Sequence, residues 1–131
     1  MLHHLEFYVS HLERSREFWG WLLQRLGYAR HQEWPQGFSF KFGDTYLVFV
    51  QVEDHYNDRP YHRKRVGLNY LAFQAQSTQA VDDLAIELRQ RGVEILYNSP
   101  IADGEHYAVF FEDPDRMKVE FVFERPGYSK T

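Results

Sequence analysis

The sequence predicts an α+β fold that consists of two similar βαβββ modules in tandem. Each half of the chain opens with apolar residues that alternate with polar ones, from Leu5 and from Leu71, which is typical of a strand with one buried face. Apolar residues at helical spacing follow in each half and end before a glycine, Gly27 or Gly92. The second half repeats the first with an offset of about 65 residues, and such a period indicates two copies of one supersecondary unit.

The first module is expected to contain a strand, a helix and three further strands. Ser10 and Glu13 have the spacing of a capping box, so the helix is predicted to start at Ser10. The three further strands are predicted at Tyr28–Glu33, Phe38–Phe42 and Tyr46–Val52. The last of these strands is apolar at nearly every position, so its own alternation does not show which face is buried.

The second module repeats this order and ends in a hairpin. Ser77 is the predicted cap of its helix. A strand is predicted at Val93–Leu96, followed by a loop around Pro100. The closing hairpin, His106–Phe123, has a turn at Glu112–Asp115, because proline fixes its own backbone angle and aspartates accept hydrogen bonds from nearby amides.

A polar segment without periodicity separates the two modules. We interpret residues 1–131 as one domain, with module 1 at about 1–53, a linker at about 54–66, module 2 at about 67–124 and a tail at 125–131. The basic side chains of the linker are Arg59, His62, Arg63, Lys64 and Arg65. The linker is either a solvated connection or a lid that attracts an anionic small molecule.

The composition excludes several classes of protein. The net charge of −4 gives no reason to expect nucleic acid or an anionic membrane as a partner. The absence of cysteine excludes disulfides, thiolate metal sites and cysteine nucleophiles, and it is compatible with the cytoplasm, where we expect the protein. No apolar run approaches the length of about 18 residues that a membrane helix needs.

The two modules are expected to build one cleft. A helix covers only one face of each sheet, and a unit of this size buries too little surface to stand alone. We therefore expect the modules to form one curved mixed sheet, with the helices on its convex side. Strand alternation places these polar residues on the concave side: His4, Glu6, Tyr8, Gln51, Tyr70, Gln74, Lys118 and Glu120. Its predicted apolar lining is Leu47, Phe49 and Val122, where Phe49 is assigned by aligning the closing strands of the two modules.

Several segments together resemble a known family. They are His3–Ser10 with Leu12–Ser15, Phe18-Trp19 with Leu26–Tyr28, Gly67–Phe73, and Phe111–Asp115 with Lys118–Phe121. This combination is similar to the vicinal oxygen chelate superfamily, which includes glyoxalase I, bleomycin-resistance proteins, fosfomycin-resistance enzymes and extradiol dioxygenases. The most specific part is Asp113-Pro114-Asp115 with Glu120 five residues after the second aspartate.

The resemblance implies a divalent metal ion, of zinc, nickel, manganese or iron, held by residues of both modules. Its ligand positions fall on His4, Tyr70 and Glu120, and a fourth falls near Phe49, which cannot bind a metal. Tyr70 stands where relatives usually have histidine, and a neutral phenol is a poor ligand. The histidines that could supply a third ligand from a loop are His55, His62 and His106.

Three functions follow as hypotheses. The first is a metal-dependent lyase, isomerase, transferase or dioxygenase that acts on a small molecule, with His4, Glu120 and Tyr70 at the metal and Glu120 or Glu6 as the catalytic carboxylate. The second is a metal-free protein that binds an antibiotic-like or aromatic molecule in the cleft, as bleomycin-resistance proteins do. The third is a domain that mainly supports a homodimer, the assembly that the resemblance implies, through apolar residues such as Phe18, Trp19 and Trp21.

Overall fold

The computed structural model describes residues 1–127. The predicted tail at 125–131 therefore lies partly outside the described residues. By internal packing the chain divides into two compact units, Met1–Tyr61 and a second unit that begins at His62. None of the helices in the described range is long and apolar enough to span a membrane.

Each unit contains one βαβββ module. The elements of the first are β1 (His4–Val9), α1 (Leu12–Arg25), β2 (Ala29–Trp34), β3 (Gly37–Phe42) and β4 (Thr45–Gln51). Those of the second are β5 (Tyr70–Gln74), α2 (Thr78–Gln90), β6 (Ile95–Asp103), β7 (His106–Glu112) and β8 (Lys118–Glu124). The strand orders are β1-β4-β3-β2 and β5-β8-β7-β6, so the second unit repeats the topology of the first. The α+β class and the internal repeat are confirmed.

The first and last strands of each module are parallel neighbours. His4 pairs with Tyr46 between β1 and β4, and Tyr70 pairs with Lys118 between β5 and β8. The remaining neighbours in each sheet are antiparallel, as hairpin connections require. Paired residues carry their side chains on the same side of a sheet, so this register decides which residues share a face.

The helix of module 1 starts one residue later than the capping-box spacing predicts. His11 is the N-cap, and its Nδ1 accepts a hydrogen bond from the backbone N–H of Arg14 at 3.3 Å. Gln51 satisfies a second free amide, because its Oε1 accepts from the N–H of Leu12 at 2.8 Å. Its Nε2 also donates to the carbonyl of Ser10 at 2.9 Å. In module 2 the predicted cap is confirmed, since Ser77 Oγ accepts from the N–H of Ala80 at 3.0 Å.

The core of module 1 lies between α1 and the sheet. Phe49 is fully buried, and its ring centroid lies 5.0 Å from that of Trp19 on α1 and 5.3 Å from that of Phe7 on β1. Leu47 shares this face with Phe49, because residues two apart on a strand point the same way. The prediction that Leu47, Phe49 and Gln51 line the helix-free side of the sheet is therefore wrong.

The register gives the reason for this error. The residue of module 1 that corresponds to Glu120 is Val48, because Glu6 pairs with Val48 as Ala72 pairs with Glu120. Aligning Phe49 with Glu120 was therefore wrong by one residue, and a shift of one residue in a strand reverses every side chain.

The turn of the closing hairpin uses the predicted aspartate chemistry. Asp113 is buried, and its Oδ1 accepts hydrogen bonds from the N–H groups of Asp115 at 2.9 Å and Met117 at 2.8 Å. Arg116 adopts a left-handed backbone with φ 64°. These bonds hold the start of β8 in register with β7.

Strand β6 extends through the segment that the sequence predicts as a loop. Its pairing with β7 shifts between Leu96 and Ile101, and Tyr97 and Asn98 have left-handed backbones in this bulge. Ser99 joins the bulge to β7, because its Oγ accepts from the N–H of Phe110 at 2.9 Å and donates to the carbonyl of Leu96 at 2.7 Å. The bulge brings the ring centroid of Tyr97 to 5.3 Å from that of Phe110.

The orientation of β4 can be tested by comparing two aromatic truncations. Phe49→Ala should lower the free energy of unfolding by about 3–5 kcal/mol, because it empties a fully buried site. Tyr8→Ala should change it by about 0.5 kcal/mol or less, because the Tyr8 side chain is 65% exposed. Urea denaturation of the two variants and the wild type measures both values, and equal losses would contradict the assigned faces.

Candidate functional site

Module 2 carries a cluster of charged and aromatic side chains on the face of its sheet that lies opposite α2. Tyr107 identifies the face that α2 covers, because its hydroxyl donates to Oδ1 of Asp82 on this helix at 2.5 Å. Phe110 therefore points to the other side, together with Glu120, its partner in the β7–β8 register. We call this side the helix-distal face of module 2. Its members on β5, β7 and β8 include Tyr70, Ala72, Gln74, Phe110, Lys118, Glu120 and Val122.

The ammonium of Lys118 lies among three aromatic rings on this face. Its Nζ is 4.5 Å from the ring centroid of Tyr70, 5.3 Å from that of Tyr97 and 5.6 Å from that of Phe110. It also donates a hydrogen bond of 3.3 Å to the hydroxyl of Tyr97. Rings at these distances attract a cation through their electron-rich faces. We call Lys118 with these three aromatic residues the lysine box.

Glu120 lies beside the lysine box and is buried. The residue is only 9% exposed. No group of residues 1–127 forms a hydrogen bond with its carboxylate. Burial raises the pKa of Glu120 above its ordinary value, and the charges of His106 and Lys118 oppose this rise. A carboxylate in such a place is costly to ionise without a partner.

Glu112, a third charged residue on this face, is paired with two arginines through one carboxylate oxygen. Its Oε2 accepts hydrogen bonds from Arg63 at 2.7 Å and from Arg116 at 3.4 Å. Arg63 also donates to the carbonyl of Arg116 at 3.3 Å. One predicted lid residue of the linker is thus fixed to module 2 by an ion pair. The other basic residues of the linker are exposed: Arg59, His62, Lys64 and Arg65.

Module 1 carries His4, Glu6 and Tyr8 on the side of its sheet opposite α1. The His4 ring stacks on Tyr46 with a centroid distance of 4.8 Å and an interplanar angle of 3°. Its Nδ1 lies 2.8 Å from Nδ1 of His3, so one of the two rings donates a hydrogen to the other. Glu6 and Tyr8 are exposed.

The predicted site residues thus fall into three groups. Lys118 and Tyr70 are in contact, and Glu120 lies on the same face with Gln74 and Val122, which pair with each other. His4, Glu6 and Tyr8 belong to the sheet of the other module. The remaining three, Leu47, Phe49 and Gln51, lie on the α1 side of module 1.

Tyr97 and Phe110 belong to the cluster and were not predicted from the sequence. Phe110 could have been found, because counting back from the Asp-Pro-Asp turn pairs it with Glu120. Tyr97 could not, because it reaches the cluster only through the β6 bulge, and alternation does not apply across a bulge.

The surroundings of Tyr70 within module 2 do not favour a metal ion at this residue. Across residues 1–127, no group of three histidine, aspartate or glutamate side chains is arranged to hold a metal ion. Tyr70, on which the resemblance places the middle ligand, has the Lys118 ammonium 4.5 Å from its ring centroid. A divalent ion bound to Tyr70 would be repelled by this ammonium.

Comparisons with known proteins agree with the fold. The model of the Glyoxalase/Bleomycin resistance protein/Dioxygenase superfamily matches residues 1–121. The uncharacterized protein YqjT of Bacillus subtilis (strain 168) is 52% identical over 124 residues, which are 92% of this chain and 97% of that protein. A Bacillus halodurans protein whose crystal structure is described as a "putative glyoxalase" is 55% identical, with a TM-score of 0.91 over 94% of this chain and 95% of that one.

A more distant structural match shows the fold alone. Lactoylglutathione lyase from Agrobacterium tumefaciens is 21% identical, with a TM-score of 0.67 over 94% of this chain and 92% of that one.

The raised pKa of Glu120 predicts a specific dependence of stability on pH. The folded state holds the Glu120 proton more tightly than the unfolded chain, so stability falls as pH rises from the ordinary value of 4.5 through the raised value. Glu120→Gln cannot ionise. The free energy of unfolding of this variant, relative to the wild type, should therefore increase across that window and stay constant below it.

Urea denaturation at several pH values between about 4 and 8 measures this difference. Glu124→Gln is the matched control, because Glu124 lies on the same strand and is exposed. A difference for Glu120→Gln that does not change with pH would contradict the assigned environment of the carboxylate.

Proposed function

Because this chain belongs to the Glyoxalase/Bleomycin resistance protein/Dioxygenase superfamily, we propose that it binds a small organic molecule on the helix-distal face of module 2 without a metal ion. One observation carries the proposal. The Lys118 ammonium lies 4.5 Å from the ring centroid of Tyr70, the residue at the usual middle ligand position. An organic cation thus already lies against the ring of the residue on which the resemblance places the middle ligand.

The lysine box has the properties of a binding surface for a flat ligand. Tyr70 is 39% exposed and Tyr97 is 55% exposed, so both rings have free area against which a ligand can pack. Such rings bury a large area at a small cost in conformational entropy. Val122 and Gln74 extend the same face along β8 and β5, with an apolar and an amide side chain.

The metal-dependent alternative is supported by a different observation, the buried Glu120 carboxylate. A carboxylate without a hydrogen bond from residues 1–127 has the capacity to bind a cation. In this alternative His4 and Glu120 hold zinc, nickel, manganese or iron, Glu6 is the general base, and the protein is a lyase, isomerase, transferase or dioxygenase. The ion would polarise an oxygen of the substrate when bound.

A homodimer is also a proposal. Of the aromatic residues predicted to support it, Trp19 is fully buried in the core of module 1. Phe18 and Trp21 remain partly exposed and are the candidates for a partner contact.

Metal analysis and ligand-induced stabilisation, measured on protein purified without a histidine tag and without added metal, distinguish metal-free binding from metal-dependent catalysis. We expect less than one equivalent of metal per chain by elemental analysis. We also expect that small aromatic compounds raise the melting temperature equally with and without a chelator, because the lysine box needs no ion to bind a ring. One equivalent of bound metal, with stabilisation that a chelator abolishes, would contradict the proposal.

Tyr70→His provides a further test of the same question. If His4 and Glu120 form an incomplete metal site, the new histidine completes it, and the affinity for zinc or nickel should rise by about tenfold or more. In the metal-free proposal the affinity for these ions does not change. Tyr70→Phe is the matched control, because it keeps the ring over Lys118 and adds no ligand.

A further inference from the structure

Two opposite charges on the helix-distal face of module 2, those of Lys118 and Glu120, form no ion pair within 4.0 Å among residues 1–127. In residues 1–127, Lys118 makes one hydrogen bond, to the hydroxyl of Tyr97, and has no carboxylate within 4.0 Å. Glu120, two residues along β8, has neither a hydrogen bond nor an ion pair there. Glu112 on the same face is paired with both Arg63 and Arg116. The missing partners are therefore a local property of Lys118 and Glu120.

Lys118 and Glu120 project from the same face of β8 at positions whose backbone separation a single aromatic ring can span. Residues two apart on a strand are about 6.5–7 Å apart. Next to them on β5, Tyr70 pairs with Lys118 and Ala72 pairs with Glu120. Ala72 is exposed, and its side chain is only a methyl group. Beside Glu120 the sheet surface therefore has a shallow depression, and the Tyr70 ring forms one edge of it.

From this arrangement, and on the basis of the proposed function, we infer that the ligand is an aromatic anion with a hydrogen-bond donor at the opposite end of its ring. The anionic group pairs with the Lys118 ammonium. The ring packs beside Tyr70 above Ala72. The donor, a hydroxyl or an N–H group, bonds to the Glu120 carboxyl group.

Charge distribution favours an anion over a cation. A box of aromatic rings would also attract an ammonium ligand, but Lys118 already fills this one. An ammonium has three donor hydrogens, and among residues 1–127 Lys118 uses one of them, in the bond to Tyr97, which leaves two for a ligand. A bond from an ammonium to a carboxylate is about twice as strong as a neutral hydrogen bond.

The inference is tested by titrating four probes into the full chain by calorimetry in the presence of a chelator. The probes are 4-hydroxybenzoate, benzoate, 4-hydroxybenzamide and benzyltrimethylammonium. We expect 4-hydroxybenzoate to bind most tightly, benzoate several-fold more weakly because it lacks the donor, and 4-hydroxybenzamide about tenfold more weakly because it lacks the charge. Benzyltrimethylammonium should bind more weakly than all three.

Two variants assign the two contacts separately. Lys118→Met should remove the preference for 4-hydroxybenzoate over 4-hydroxybenzamide. Glu120→Gln should reduce the preference for 4-hydroxybenzoate over benzoate and leave the preference for the acid over the amide. Arg91→Met removes one positive charge at the end of α2, on the other side of the sheet, and should preserve both preferences. Lys118→Arg should restore the preference for the acid.

The possible failures are distinguishable. If the wild type binds the acid and the amide equally, or if Lys118→Met keeps its preference, the inference is wrong and metal-free binding of aromatic molecules stands. If 4-hydroxybenzoate does not bind at millimolar concentration, the inference is wrong. If the probes bind only after zinc or nickel is added, both the inference and the proposed function are wrong.

Discussion

The parallel pairing of the first and last strands in each module is the constraint on which the described structure depends. It joins residues that are far apart in the chain, such as His4 with Tyr46 and Tyr70 with Lys118. Because side chains alternate along a strand, this one register assigns every residue of both strands to the helix side or to the other side. The core under each helix and the chemistry on the opposite face are therefore fixed together.

The same register explains why the two modules differ in chemistry although they share a topology. Opposite Tyr70, module 2 places Lys118, whereas opposite His4, module 1 places Tyr46. One pair gives a cation on an aromatic ring and the other gives two stacked rings. Glu120 has only Val48 as its counterpart, so a buried carboxylate occurs on one sheet alone. The two modules thus share a topology and differ in the side chains at corresponding positions.

Much of this could be derived from the sequence, because it rests on local patterns. Alternation and helical spacing gave the elements, the period gave the repeat, and the Asp113 turn followed from the known behaviour of aspartate and proline. The predicted start of α1 is wrong by one residue. Gln51, from the far end of the module, bonds to the Leu12 amide, and His11 accepts a hydrogen bond from the Arg14 amide. The predicted orientation of β4 is wrong because this strand is apolar at nearly every position. It therefore has no alternation of polar and apolar residues that could reveal a misalignment of one residue.

By itself, the sequence determined the class of the fold, its two-fold repetition and the direction in which Glu120 points, because these depend on periods of two and of 3.6 residues. Only the tertiary structure decided which groups meet. It brought Tyr97 to Lys118 through a bulge, gave Glu112 its partners Arg63 and Arg116, and left Glu120 buried beside an ammonium. The physical reason is that a contact depends on register and bulges between distant segments, and no local pattern contains that information.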